Sequence, residues 1–568
     1  MKHWSGHCIK NTAHFWLLGL TMPKTQTKLT DTFVLSANRA KRATTLIPSA
    51  NQATPKTRAS PAGMFVPSTN QANFFAWVTD GSGSAILNAV AGSGKTTSIV
   101  QACGLINPSF SITFLAFNKK IATELGDRLP KHARASTFHA AGFSAWRSAR
   151  QSVTVRADKV SKLAKQLFTD EEWDQFGAMA VKLVAQAKNA GIGILHTNEL
   201  DSWKELLTRF DIDPAAEDLQ LNAMLQKTRE LLAASVDAAM DHPSVIDFDD
   251  MIYMPLLHNV PFGKADWLLV DEAQDTNGVQ LEMLKRMLKP GGRLVAVGDR
   301  NQAIYAFRGA DSAAMDNIKR AFNCAELSLD VSFRCPRLVV LEAQRIVPHI
   351  KFANTAGLGS VINKAHMTAS GQWTCMHRVE CFRPSDVIVC RNVAPLVELA
   401  YRFIRNQIGC KILGREIGAT LIALINRMGA RSVEALVDKL KDFTQREVAK
   451  FTEEEQETRA EAAQDRLDCI LAVISTLDEQ HWSVGAVVSS IQTMFSDDDG
   501  KSILTLCTCH KSKGLEWDRV FIYRRDLMPS KYATRAWQLE QEANLEYVAI
   551  TRAKQMLVWL QGSSAQSK

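Results

Sequence analysis

Gly92-Ser93-Gly94-Lys95-Thr96-Thr97 carries the most specific chemistry in this 568-residue chain. An apolar run, Ile86, Leu87 and Val90, breaks at the two glycines and resumes as a helical pattern from Thr97 to Ala102. This strand–loop–helix order suits phosphate binding. Glycines let backbone N–H groups wrap an anion at a helix N-terminus, a lysine reaches the outer phosphates, and a Thr hydroxyl ligates Mg²⁺. The expected nucleotide-binding residues are therefore Ala91, Gly92, Ser93, Gly94, Lys95, Thr96 and Thr97, with ATP and Mg²⁺ as cofactors. The strict pattern opens with Gly where this chain has Ala89.

A second constellation is Trp267–Asp275, WLLVDEAQD. Four apolar residues predict a buried strand that delivers Asp271 and Glu272 at its C-terminal end, where open α/β sheets bind ligands. Asp271 is expected to join Thr96 as a metal ligand. Glu272 is expected to orient and deprotonate an attacking water. An acidic pair after a strand is commonplace alone; beside a phosphate loop it completes a hydrolytic site.

The elements that must hold these residues follow from periodicity. Val160, Leu163, Leu167 and then Met179, Leu183, Val184, Ala187 recur at helical spacing between the two constellations. Helices are also predicted over 433–451 and 453–474. Short apolar runs at 386–390, 502–506, 519–523 and 556–560 predict further buried strands.

Composition adds less. The net charge of +8 is accounted for by residues 1–62, which hold nine Lys or Arg and one acid, Asp31. The remainder is neutral, so any surface that binds a polyanion is a local patch. Residues 1–62 read as a flexible basic arm. The apolar stretch Phe15–Leu20 is too short for a membrane span and lacks a small-residue cleavage site. Met22 offers an alternative start. The eleven cysteines are scattered and read as reduced thiols of a cytoplasmic protein. Cys375, His377, Cys381 and Cys390, and Cys507, Cys509 and His510, lack the paired spacing of a zinc site.

The boxes beyond these two carry a family resemblance. Asp271–Asp275 (DEAQD), Gly298–Ala310 (GDRNQAIYAFRGA), Ser332–Pro336 (SFRCP), Thr508–Asp518 (TCHKSKGLEWD) and Glu542–Lys554 (EANLEYVAITRAK) resemble, in order, the boxes of UvrD/Rep superfamily 1 helicases. Asn70-Gln71, Phe114–Leu125 and Thr137-Phe138-His139 resemble that family's upstream boxes, and Asp247–Asp250 (DFDD) resembles another. The collinear set spans 67–560. Its wording is most similar to the F-box helicase branch and phage-borne relatives; no F-box is evident, so that branch's ubiquitin-ligase role is not implied.

The resemblance implies roles. Gln71 would read adenine, Phe333 would stack on it, and Glu516 would accept from the ribose hydroxyl. Gln302 would couple the γ-phosphate to the DNA side, while Arg334 and Arg552 would act as arginine fingers. Phe117, His139, Tyr305 and Phe307 would contact the DNA strand, Phe307 standing where UvrD has Trp.

The implied fold is α/β: two RecA-like parallel-sheet domains with mainly helical accessory insertions. The first RecA-like domain would comprise 63–150 and 246–325, interrupted by a helical accessory insertion at 151–245. The second would comprise 326–414 and 501–568, interrupted by a short helical insertion at 415–500, too short for regulation by a large swinging domain. The implied activity is ATP-driven 3′→5′ translocation on single-stranded DNA with duplex unwinding. Single-stranded and tailed duplex DNA are the implied partners, with a loading protein left open. A translocase that does not unwind, or a DNA-binding subunit using ATP as a switch, fits the same boxes.

Overall fold

The computed structural model describes residues 66–116, 118–209, 218–304, 313–368, 370–375, 378–406, 408–453, 457–477, 482–496 and 504–561. The expected arm, Phe117, Tyr305, Phe307 and His377 lie outside the described residues. Among those described, no helix is long and apolar enough to cross a membrane.

The first lobe begins with a helix, Thr69–Asp80, started by a capping box in which Ser68 and Gln71 satisfy each other's backbone N–H groups. Its strands are β1 (Ala85–Ala89), β2 (Ile112–Ala116) and β3 (Ala133–Thr137), then, after a two-stranded ladder of β4 (Val153–Val155) and β5 (Ser244–Ile246), β6 (Ala265–Val270), β7 (Leu288–Gly298) and β8 (Ala325–Leu329). They form a parallel sheet in the order β3-β2-β6-β7-β1-β8. β2 and the last four residues of β6 are wholly buried, as expected of strands covered on both faces. The order makes β6, β7 and β1 neighbours, so their C-terminal ends converge on one spot.

The helices between β4 and β5 build their own core around Leu183, Val184, Trp203, Leu225 and Leu231. Four buried charges anchor them to the segment after β5. Lys159 Nζ lies 2.6 Å from Asp250 Oδ2, and Lys188 Nζ lies 2.6 Å from Asp247 Oδ2 and 2.7 Å from Asp250 Oδ1. The DFDD box thus receives both lysines from the inserted helices.

The expected boundary at 326 needs moving. β8 pairs in parallel with β1, from Ala85↔Ala325 to Ala89↔Leu329, so it completes the first sheet rather than opening the second lobe. The crossing falls at Asp330, whose carboxylate accepts from Asn70 Nδ2 of the first lobe at 2.7 Å and from Lys351 Nζ of the second at 2.6 Å.

The second lobe continues with β9 (Val331–Ser332), β10 (Lys351–Phe352), β11 (Ser360–Met367), β12 (Trp373–Cys375), β13 (Arg378–Glu380), β14 (Val387–Cys390), β15 (Cys410–Leu413), β16 (Phe495–Ser496), β17 (Leu504–Thr508), β18 (Trp517–Tyr523) and β19 (Ala553–Gln561). β9 and β10 pair with each other. The others form a nine-stranded sheet, β13-β12-β11-β19-β18-β14-β17-β15-β16, parallel except around β12. The predicted strands at 386–390, 502–506, 519–523 and 556–560 overlap β14, β17, β18 and β19.

The segment 415–500 is not a separate body. Its helices, including Val433–Glu453, Glu457–Ile474 and Val484–Met494, bury Leu436, Ile470 and Ile491 in one core with Ile388, Phe521 and Val558 of the sheet. β16, at its end, joins the sheet edge against β15.

Candidate nucleotide cleft

β1 ends at the phosphate loop, which turns into the helix Lys95–Leu105. Gly92 and Gly94 have φ of +70° and +74°, a left-handed conformation that a Cβ would strain. Gly94 caps this helix without a side-chain hydrogen bond, so no capping side chain competes for its first-turn N–H groups. Ser93 Oγ is buried without a hydrogen-bond partner, a polar atom left for a ligand. The loop therefore fits a phosphate group. Ala91 is buried, and Thr97 lies half-buried on the first helical turn.

β6 delivers the carboxylates. Thr96 Oγ1 lies 3.5 Å from Asp271 Oδ2, so the two expected metal ligands face each other. Glu272 takes a left-handed φ of +51°, uncommon for a residue with a side chain. That turn brings its Oε2 to 3.7 Å from Lys95 Nζ. Burial opposes the charge of Glu272, but Lys95 and Lys513 outweigh it and hold the carboxyl down at about 2. Burial and the neighbouring Glu272 push Asp271 up to about 6. Burial also works against the Lys95 charge, yet Glu272, Asp299 and Asp271 raise its pKa. Glu272 is thus ionised, the state needed to accept a proton.

β7, between the other two, is followed directly by Asp299. Gln302 donates from Nε2 to Asp299 Oδ2 at 2.7 Å, and Asp299 N donates to Gln274 Oε1 at 3.0 Å. Gln274 in turn donates to Glu272 at 2.5 Å. A continuous chain of polar contacts therefore runs from Glu272 to Gln302.

The second lobe closes the cleft. Phe333 N donates to the Gly92 carbonyl at 2.8 Å, and a Cβ built on Gly92 would meet Arg334 Cβ at 2.5 Å. The Phe333 side chain is half-exposed. Arg334 pairs with Glu516 at 2.7 Å, so the two residues expected on phosphate and ribose hold each other here. Arg552 is 1% exposed. Its three nitrogens donate to the carbonyls of Val548 and Leu515 and to Thr551 Oγ1 at 2.8–3.1 Å. Burial, then Arg334, lowers its pKa to about 10. Gln71, expected to read adenine, uses its amide on Ser98 Oγ at 2.9 Å and Ser68 N at 2.9 Å, beside Gly94.

Of the residues expected on DNA, only His139 is described. It lies on the first turn of the helix Phe138–Ala149, where burial lowers its pKa. A 330 Å³ cavity is lined by Arg391, His510, Lys511 and Trp537 of the second lobe and by Ile304 of the first, among others.

Three cleft residues were not singled out from sequence: Lys513, Asn544 and Tyr547. Lys513 Nζ reaches Asp275 Oδ2 at 2.7 Å and the Gln302 carbonyl at 2.8 Å. Asn544 Nδ2 donates to the Ala303 carbonyl at 3.2 Å, and Tyr547 accepts from Ala91 N at 3.0 Å. Their only signal was position inside the boxes at 508–518 and 542–554.

Comparison with known proteins agrees with this geometry. Residues 70–323 match the UvrD/REP helicase N-terminal domain, and residues 504–560 match the UvrD-like helicase C-terminal domain. F-box DNA helicase protein 1 of Schizosaccharomyces pombe is 26% identical over 83% of this chain, which spans only 55% of that protein. The probable DNA helicase II homolog of Mycoplasma pneumoniae is 24% identical over 85% of this chain and 82% of its own length. ATP-dependent DNA helicase UvrD2 of Mycobacterium bovis is 23% identical over 82% of this chain and 75% of its own length. With both family domains matched in order, and with phosphate loop, carboxylates and two arginines meeting between a parallel and a mainly parallel sheet, the chain belongs to the UvrD/Rep family of superfamily 1 DNA helicases.

Proposed function

We propose that the chain is an ATP-driven motor that moves 3′→5′ along single-stranded DNA and unwinds duplexes. The observation that carries this reading is the division of the cleft. Lys95, Thr96, Asp271 and Glu272 come from the first sheet, while Arg334, Lys513 and Arg552 come from the second lobe. Hydrolysis and lobe closure are then one event, as a motor requires.

Thr96 and Asp271 would hold Mg²⁺, which supplies charge neutralisation on the phosphates. Lys95 and the loop amides bind the phosphate oxygens. Glu272 takes a proton from the attacking water as the new P–O bond forms, the bond to the β–γ bridging oxygen breaks, and ADP and phosphate leave. Arg334 and Arg552 stabilise the charge spread over the equatorial oxygens, a task suited to fixed guanidinium groups. For that, Arg334 exchanges Glu516 for phosphate. Gln71 and Phe333 flank the expected adenine position. His139, Phe117, Tyr305 and Phe307 form the strand-contacting set, which relies on stacking rather than base readout.

The test is ATPase rate with and without single-stranded DNA, followed by unwinding of duplexes with 3′ or 5′ tails. Strong stimulation and unwinding from 3′ tails are expected. Stimulation without unwinding identifies a translocase. A slow rate indifferent to DNA identifies an ATP switch and overturns the motor.

A further inference from the structure

Tyr547 is fully buried, and its hydroxyl sits where three elements meet. It accepts from Ala91 N of the phosphate loop at 3.0 Å and donates to Asp299 Oδ2, at the end of β7, at 3.4 Å. The tyrosine itself belongs to the second-lobe helix Ala536–Ile550. It belongs to a buried cluster that also holds Val90, Ala91 and Ile304 of the first lobe and Val339, Val548 and Leu557 of the second. Asn544, one turn earlier on the same face, holds the Ala303 carbonyl. Asp299 also anchors the Gln302 amide.

The two hydrogen bonds of the hydroxyl differ in direction. One reports the phosphate loop and the other the segment that leads toward Tyr305 and Phe307. A phenol can make both only while the loop, the end of β7 and the second-lobe helix are together. The Asp299 bond involves no group assigned to phosphate, metal or water, and the other holds a phosphate-loop amide, that of Ala91. We propose that Tyr547 is a positioning residue that couples the state of the phosphate loop to Asp299 and the segment 300–304 that follows it, so that DNA accelerates turnover through it. This rests on the motor reading above.

Tyr547→Phe removes the hydroxyl and retains the ring in its apolar surroundings. Losing a buried hydrogen-bonded bridge is expected to lower the ratio of DNA-stimulated to basal turnover about tenfold. The fall should appear in kcat with DNA, while KM for ATP shifts less than about twofold, since the hydroxyl touches no nucleotide-binding side chain. If the effect passes through Asp299, Tyr547→Phe in an Asp299→Asn background should add nothing further. A Phe variant that responds to DNA as fully as the wild type overturns the role of Tyr547 alone, as do additive effects in the double variant. If Tyr547→Phe fails to fold, Asp299→Asn carries the test and must itself lower the ratio. A wild-type chain whose turnover ignores DNA overturns the motor reading first, and this coupling with it.

Discussion

Lys513 crosses from the second lobe to bind Asp275 of the first, Nζ to Oδ2, at 2.7 Å, with both side chains buried. The lysine also donates to the backbone of Gln302. One side chain therefore bridges the carboxylate box and the segment after β7. Removing one partner of a buried ion pair strands the other, at a cost of about 3–5 kcal/mol. Lys513→Ala is expected to lower the unfolding temperature and to cut DNA-stimulated ATPase by at least about tenfold, since 1.4 kcal/mol of lost closure suffices for that. Thermal unfolding and steady-state turnover check both. Wild-type stimulation in the alanine variant would mean that closure does not use this bridge.

Glu272→Gln should retain nucleotide and DNA binding and lose about 10²–10⁴ in turnover, the range attributed to a general base. The amide can still accept from Gln274, so local packing survives. Lys95→Ala should instead weaken nucleotide binding and turnover together. Nucleotide titration and single-turnover hydrolysis separate the two; normal hydrolysis by Glu272→Gln would remove the base assignment.

Arg552→Ala should abolish stimulated turnover, since an engaged arginine finger contributes about 10³–10⁵. Its three donors also hold carbonyls and a hydroxyl of its own lobe, so Arg552→Lys is the gentler companion, keeping charge without the fork. Fluorescence anisotropy on labelled single strands should show DNA affinity largely spared in both. Retained stimulation in both variants would relegate Arg552 to a purely structural role.

Asp266, at the start of β6, takes hydrogen bonds from Lys289 and from the hydroxyl and amide of Ser111, which hold its pKa down at about 2. A depressed carboxylate stabilises the fold above its unfolded pKa of 3.8, and that contribution fades as pH falls toward 2. Asp266→Asn should therefore unfold more easily than wild type near neutral pH, and the two should converge in acid. Denaturant midpoints across that range decide it; a constant difference down to the lowest pH would contradict the assignment.

Ile470 belongs to the helix Glu457–Ile474 yet is fully buried in the same core as Phe521 and Val558. Ile470→Ala should cost about 2–5 kcal/mol and lower the unfolding of the whole second lobe. Hydrogen exchange should report this as faster exchange in β14 and β18 as well as in the helix. Faster exchange confined to 433–494 would show that the segment unfolds by itself.

The glycine turn after β1 and the buried strands were legible because parallel strands covered on both faces are uninterrupted apolar runs, as in Val387–Cys390, and glycines mark where they stop. The Gln71 amide, expected to read a base, also closes the capping box with Ser68. Three relationships were not legible. Helical periodicity in 433–474 shows that one face is apolar, not which surface covers it, so sharing a core with the sheet was invisible. The membership of β8 in the first sheet depends on pairing with a strand more than two hundred residues earlier. Lys513, Asn544 and Tyr547 meet their partners across the cleft, and no local pattern encodes a contact of that range.

Asp330 is where the described backbone leaves one lobe for the other, between β8 in the first sheet and the Phe333 amide bound to Gly92. The crossing lies beside the phosphate loop, because Phe333, three residues further on, is bound to Gly92. Arg334, four residues from the crossing, stands against Gly92 of the loop, so under the motor reading a small rotation of one lobe would change its distance to the loop on the scale of a single hydrogen bond. Points at the far rim sweep a longer arc for the same angle. For a chain that steps along a strand as proposed, the distance from Asp330 at which the strand is held would set the length of the step, and changing that distance would change the step without altering the chemistry.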